Sequence, residues 1–179
     1  METILAAIDF SEGAKLVIAR AVTLSRALNA RLVFLHVIQP VPGTASEYGF
    51  SDVAARIASA AVRDASQRLA HLQRQLRGQK IRASAFHVRG IPGSAIIEHA
   101  QELDASYIVI GSHGHGALYE LIVGSTASRV INEATCPVVV VPTRTPAADE
   151  VPSFNLEPAG VAEELQTAAC ALRYQEQFN

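Results

Sequence analysis

A glycine-rich stretch, GSHGHGALYELIVGSTA at residues 111–127, contains the residues whose spacing most clearly suggests chemistry. Two residues separate Gly111 from Gly114, nine separate Gly114 from Gly124, and Ser125 follows directly. Because glycine loses more conformational freedom on folding than any other residue, this concentration needs a reason. One reason is a backbone that approaches a ligand closely, since bare amide groups suit phosphate oxygens. The alternative is a flexible connector that binds nothing.

Other kinds of functional site fit this stretch poorly. It lacks the Gly-Lys-Ser/Thr of a P-loop, and GSHGHG does not match the Gly-x-Gly-x-x-Gly of dinucleotide-binding folds. His113 and His115 alternate without a nearby cysteine or acid, which argues against a zinc site. The sequence shows no Ser-His-Asp arrangement and no paired carboxylates, so it indicates binding rather than catalysis.

Apolar runs of strand length alternate with helical patterns along the chain. Strands that are apolar on both faces and separated by helices favour a parallel sheet with both faces covered. The sequence therefore predicts an α/β fold with a five-stranded, parallel, doubly wound (Rossmann-like) sheet sandwiched by helices. Strands are expected at 3–9, 31–38, 81–88, 106–111 and 136–142, and helices at 11–29, 52–77, 90–103 and 125–134.

Asp9 follows the first predicted strand, and the glycine-rich stretch follows the fourth. Ligands of open parallel sheets bind beyond the carboxyl ends of the strands, where the winding reverses. If these two strands are neighbours, one crevice contains both features. The acid would then bond a ribose or ring nitrogen, and the free amides at Gly124 and Ser125, where the last helix begins, would meet phosphate oxygens. Asp9 is also a candidate cap for the first helix together with Ser11, and the two roles are compatible.

The last 37 residues, 143–179, differ from the rest in charge and in proline content. They hold two basic and six acidic residues, with three prolines in their first half. We expect residues 1–142 to form one domain and residues 143–179 to be an acidic linker and tail. Apolar positions at helical spacing predict an amphipathic tail helix at about 160–175.

The overall composition excludes several classes of partner. The 15 basic and 17 acidic residues nearly cancel, so no charge excess favours nucleic acid or an anionic membrane. The N-terminus METILAAIDF lacks the positive flank of a secretory signal, and no apolar run is long enough to span a bilayer. We therefore expect a cytoplasmic protein in which Cys136 and Cys170 are reduced thiols.

The chain resembles the universal stress proteins in this glycine spacing. Their ATP-binding members carry Gly-2x-Gly-9x-Gly-Ser/Thr after the fourth strand, which Gly111, Gly114, Gly124 and Ser125 match. The likeness extends to AAIDFSEGA at the start, LVFLHVI in the second strand, RGIPGSAIIEHA in the middle and CPVVVVP at the end. It covers residues 1–142 and leaves the tail without a counterpart.

The resemblance implies an adenine nucleotide as ligand, either ATP or ADP or AMP, with or without Mg²⁺. Two departures from the family pattern are Ala7 and Ala127, which stand where that pattern has a proline and a threonine. Glu120 adds a negative charge within the loop, and no lysine occurs there. The site residues that the resemblance implies are Asp9 and the Val37 main chain for the nucleoside, Ile110 over the base or sugar, Gly111, His113 and Gly114 for the ribose and phosphate wall, and Gly124, Ser125 and Thr126 for the phosphates.

Three functions follow from these residues and their resemblance. The first is a stress-response or signalling module that binds an adenine nucleotide and hydrolyses ATP slowly at most. The second is an interaction module of the same fold that binds no nucleotide. The third is an adenylating enzyme, which usually needs a Ser-Gly-Gly-x-Asp-Ser loop after the first strand, and DFSEGA is not one.

The last predicted strand, within Pro137–Val141, is short, apolar and expected at the edge of the sheet. An unpaired apolar edge invites pairing with another chain. A two-fold axis would satisfy both edges at once and close the assembly. We therefore expect a homodimer through this strand, as the resemblance also implies.

Overall fold

The computed structural model describes residues 1–40, 51–113, 123–143, 154 and 156, with the backbone alone described at 51–54. Strands and helices alternate along these residues, as the sequence pattern predicts. In chain order they are β1 (Thr3–Ala7), α1 (Ala14–Leu28), β2 (Arg31–Ile38), α2 (Ser51–Gly78), β3 (Ala83–Arg89), α3 (Pro92–Glu102), β4 (Tyr107–Gly111), α4 (Ser125–Glu133) and β5 (Val138–Val141).

The five strands form one parallel sheet in the order β3-β2-β1-β4-β5. The predicted doubly wound α/β fold is therefore confirmed. The winding reverses between β1 and β4, which are hydrogen-bonded neighbours with Ala7 level with Ile110. Asp9 and the glycine-rich stretch consequently leave the sheet at the same edge, as the crevice hypothesis requires.

Alternate residues of the strands divide the core into two layers. Ile4, Phe34 and Val109 pack with α1 and α2 on one face, whereas Leu5 and Ile108 pack with α3 and α4 on the other. These five side chains are fully buried, because every second residue of a strand points to the same face. Burial of one such side chain stabilises the fold by about 1.5–3 kcal/mol.

The first helix begins later than the sequence suggests. A start at Ser11 is expected, but α1 begins at Ala14 after Gly13, which makes no side-chain cap bond. The reason is that the Oγ of Ser11 donates to Oδ1 of Asp9 over 2.6 Å, and the backbone amide of Ser11 donates to the same oxygen over 3.0 Å. Ser11 thus closes a turn around Asp9 instead of capping the helix.

Besides Thr143, two residues of the predicted tail are described, and both of these are buried. Phe154 and Leu156 are 2% and 5% exposed and belong to the apolar cluster that α1 and α2 cover. The predicted tail helix at about 160–175 lies outside the described residues. Within the described part of the chain, no helix combines the length and apolar character needed to cross a bilayer.

Candidate functional site

A crevice of about 390 Å³ opens beyond the carboxyl ends of β1 and β4. Its size lies within the range of small-molecule sites. Gly114, the remaining member of the predicted site, lies outside the described residues. The other predicted site residues all line the crevice, namely Asp9, Val37, Ile110, Gly111, His113, Gly124, Ser125 and Thr126.

Asp9 sits in a short loop that its neighbours hold in one conformation. Its Oδ1 accepts two hydrogen bonds from Ser11, as described above. Phe10 adopts a left-handed backbone with φ of 59°, which is strained for a bulky residue. The Phe10 ring lies 4.6 Å from the His36 ring and 5.4 Å from the Arg68 guanidinium carbon. These contacts offset the strain and fix the direction in which the loop presents Asp9.

His36 ties the same loop to β2. Its Nδ1 lies 2.9 Å from the carbonyl oxygen of Ile8, so this nitrogen donates and carries the proton. Burial lowers the pKa of His36, although the Ile8 hydrogen bond and the charges of Asp9 and Asp64 raise it, and His87 lowers it further. His36 is therefore neutral near pH 7, with the tautomer that the Ile8 carbonyl selects.

Thr143 anchors the opposite wall of the crevice. Its Oγ1 donates to the carbonyl oxygen of His113 over 3.3 Å, and its backbone amide donates to Oγ of Ser112 over 3.3 Å. The Ser112 amide also donates to the carbonyl oxygen of Val141 over 2.8 Å. The residues that follow β4 are thereby joined to the end of β5, and this wall is built from both strands.

The two described glycines of the motif are glycine for different reasons. A Cβ on Gly111 would lie 2.8 Å from the Thr143 Cγ2, so close packing excludes a side chain there. A Cβ on Gly124 would lie 3.4 Å from the Ser112 carbonyl oxygen and 3.7 Å from the His113 Cα, which are ordinary contacts. The backbone of Gly124, with φ of −59° and ψ of 155°, suits any residue. Neither packing nor conformation of the described chain therefore requires glycine at 124.

Helix α4 directs its first amide groups to the crevice. Its first intrahelical bond closes from the Ser128 amide to the Gly124 carbonyl oxygen over 2.9 Å. The amides of Ser125, Thr126 and Ala127 precede this bond, so they have no acceptor within the helix. All three residues line the crevice, and two of them add hydroxyl groups. Free amides, hydroxyls and the positive end of the helix dipole together suit an anion such as phosphate.

Several lining residues were not predicted from the sequence. Gln39 follows β2, Pro92 begins α3, Ser112 lies between Gly111 and Gly114, and Thr143 follows β5. Helix start signals mark Pro92, because proline is favoured in the first helical turn. The others carry no motif of their own. Thr143 stands just past the predicted domain end at residue 142, where the sequence pattern changes.

The candidate site contains no ready-made metal centre within the described residues. No three histidine, cysteine or acidic side chains come together there. Asp9 is the one carboxylate among the described lining residues, and Ser11 engages it. A magnesium ion prefers several oxygen ligands in octahedral geometry.

Comparison with known proteins identifies the family of this chain. The universal stress protein family model matches residues 1–142. The chain belongs to the universal stress protein family. A universal stress protein of Thermus aquaticus, named for the QAH/OAS sulfhydrylase 3′ region, is 35% identical over 152 residues, which cover 78% of this chain and 98% of the relative.

Solved structures of universal stress proteins share the fold of this chain. Universal stress protein UspA from Lactobacillus plantarum superposes with a TM-score of 0.62 at 27% identity, covering 78% of this chain and 97% of that one. A universal stress protein in complex with cAMP has a TM-score of 0.52 at 23% identity, covering 79% and 97%, a likeness that shows the fold alone. Residues 143–179 lie beyond the family match.

Proposed function

We propose that this universal stress protein binds an adenine nucleotide in the crevice between β1 and β4, as a cytoplasmic stress-response or signalling module. Asp9 would bond the nucleoside, with the Val37 main chain at the edge of the base and Ile110 covering the base or sugar. The phosphate end would lie at the start of α4. The predicted Mg²⁺ would accompany the nucleotide, because the described lining residues offer it no carboxylate cluster.

One observation carries this proposal. Gly124 precedes the helix amides that have no acceptor within α4, and the described fold does not require glycine at this position. Its backbone conformation is open to every residue, and a Cβ would make only ordinary contacts. Glycine at a helix N-terminus lets a ligand approach the backbone closely. A ligand at this position explains the residue, whereas the described packing does not.

The polar groups of the crevice divide into two ends. Asp9 follows β1 and accepts hydrogen bonds from Ser11, and its carboxylate is an acceptor that lines this end of the crevice. Ser125 and Thr126 follow the glycine-rich stretch and donate through amides and hydroxyls. An acceptor at one end and donors at the other match a nucleotide, which has hydroxyl donors on its ribose and acceptor oxygens on its phosphates.

The same groups support binding without efficient catalysis. Ser125 has no base beside it among the hydrogen bonds of the described residues, so we assign it as a phosphate ligand. Any ATP hydrolysis would then be far slower than the typical enzyme turnover of about 10 per second. A robust steady-state rate that a Ser125→Ala variant loses would contradict this assignment.

Isothermal titration with AMP and ATP tests the proposal. We expect saturable binding to the full-length chain and its loss in Gly124→Val, because the side chain blocks close approach to the α4 amides. Gly78→Val is the matched control, since a Cβ on Gly78 meets nothing within 4 Å and the residue ends α2. Equal affinity of the two valine variants would remove Gly124 from the site, provided that circular dichroism shows both to be folded.

We also propose a homodimer through β5. The strand stands at the edge of the sheet, with one side paired to β4 and the other unpaired within the described chain. Val139 is 37% exposed on this strand, although it is apolar. An exposed apolar edge of this kind favours pairing with a second copy.

A further inference from the structure

The described lining of the crevice contains no lysine and no arginine. Its one formally charged side chain is the carboxylate of Asp9, and its other polar groups are hydroxyls, amides and the imidazole of His113. Sites that hold polyphosphates usually supply basic side chains or a metal ion to neutralise them. Here the positive potential comes from the α4 dipole, which is equivalent to about half a unit charge.

Two basic residues on α1 and α4, helices that border the crevice, form ion pairs outside it. Lys15, in the first turn of α1, lies 2.8 Å from the Glu12 carboxylate. Arg129, in the second turn of α4, lies 3.1 Å from the Glu133 carboxylate. Neither side chain lines the crevice. These cations therefore give a ligand little uncompensated positive charge.

The stretches of sequence that adjoin the lining residues do not add a net positive charge. Residues 41–50, 114–122 and 144–153 lie outside the described residues and adjoin lining residues along the chain. Together they contain one arginine, Arg144, and four acidic residues. These three stretches therefore carry more acidic than basic residues.

We propose that the crevice selects a nucleoside monophosphate over the triphosphate. This inference rests on the proposed function and names the ligand class of the same site. One phosphate group occupies the α4 amides and the hydroxyls of Ser125 and Thr126. Each further phosphate adds negative charge that no described lining cation neutralises. The resulting preference for AMP over ATP is on the order of tenfold or more without Mg²⁺.

The test is a titration of the full-length chain with AMP and with ATP at pH 8 in EDTA, at low and at high sodium chloride. We expect AMP to bind at least tenfold more tightly than ATP. We also expect added salt to strengthen ATP binding or leave it unchanged, because salt screens repulsion.

A substitution that adds a positive charge to the crevice provides a second test of the selectivity. Gln39 is exposed and lines the crevice, so Gln39→Lys adds a cation without disturbing the core. We expect this variant to narrow the AMP-to-ATP ratio, and Gln39→Met, its uncharged control, to leave the ratio unchanged. Tighter binding of ATP than of AMP, or ATP binding that salt weakens, would overturn the selectivity and leave nucleotide binding intact. Failure of both nucleotides to bind would instead overturn the proposed function.

Discussion

The wall that follows β4 depends on contact between Gly111 and Thr143, and one substitution isolates that contact. In Gly111→Ala the new Cβ would lie 2.8 Å from the Thr143 Cγ2, which is closer than side-chain carbons approach. Overpacking of this kind costs about 1–3 kcal/mol. Loss of unfolded-state entropy returns about 0.4–1 kcal/mol, so the middle of the two ranges gives an expected net loss of about 1.3 kcal/mol in the free energy of unfolding.

Thr143→Ser provides the matching partner for a double-mutant cycle. Serine keeps the hydroxyl that donates to His113 and removes the Cγ2 that the new Cβ meets. We therefore expect Thr143→Ser to restore about 1 kcal/mol to the Gly111→Ala protein. Gly13→Ala is a partial contrast, because its Cβ would lie 2.7 Å from the same Cγ2 but also 2.6 Å from the Thr143 Cβ, which serine retains. Rescue should be markedly weaker there.

Urea denaturation, followed by circular dichroism, measures all of these variants. The expected signature is a lower midpoint for Gly111→Ala at an unchanged m-value, because the surface exposed on unfolding stays the same. If Gly111→Ala were as stable as the wild type, close packing would not explain this glycine. If Thr143→Ser rescued both alanine variants equally, the named Cγ2 contact would be the wrong cause.

Three further predictions concern the pH response, the core and the edge strand. Because burial lowers the pKa of His36 in the folded state, the unfolded chain binds a proton at His36 more readily. The free energy of unfolding should therefore fall as the pH drops below about 6.5. His36→Gln should reduce this fall, which urea denaturation at pH 5 to 8 measures. Leu72→Ala should cost about 2–5 kcal/mol, because Leu72 is fully buried; a loss below 1 kcal/mol by denaturation would refute its place in the core. Val139→Lys should shift sedimentation from dimer to monomer without unfolding the chain, because Val139 is exposed whereas Val141 is 4% exposed; an unchanged dimer would exclude β5 as the interface.

The fold was predictable because its signals are local and repeated. Apolar runs of four to eight residues, each followed by a helical pattern, indicate a covered parallel sheet, and the structure confirms the strand at 31–38 with identical bounds. The boundary errors occur where side chains override the pattern. The start of α1 is one example, since Asp9 engages Ser11 in a turn and moves the helix start to Ala14.

Residues of the candidate site were predictable where they follow neighbouring strands of a parallel sheet. The neighbouring positions of β1 and β4 explain why Asp9 and Gly124 line one crevice although they are far apart in sequence. Thr143 was not predictable, because a threonine after a strand has many possible roles and only the fold brings it against Gly111 and Gly13. The strained backbone of Phe10 was hidden for the same reason, since its partners His36 and Arg68 come from β2 and α2.

The most direct test of nucleotide binding in the crevice is residue-resolved. We would record amide chemical shifts of the ¹⁵N-labelled full-length chain during titration with AMP. We expect saturable changes in amide chemical shift that are concentrated at Asp9, Gly111, Ser125 and Thr126. The amide shift of Arg31, at the opposite end of the sheet, should stay unchanged. Saturable shifts that cluster away from the first four residues, or no shifts at millimolar AMP, would contradict nucleotide binding in the crevice.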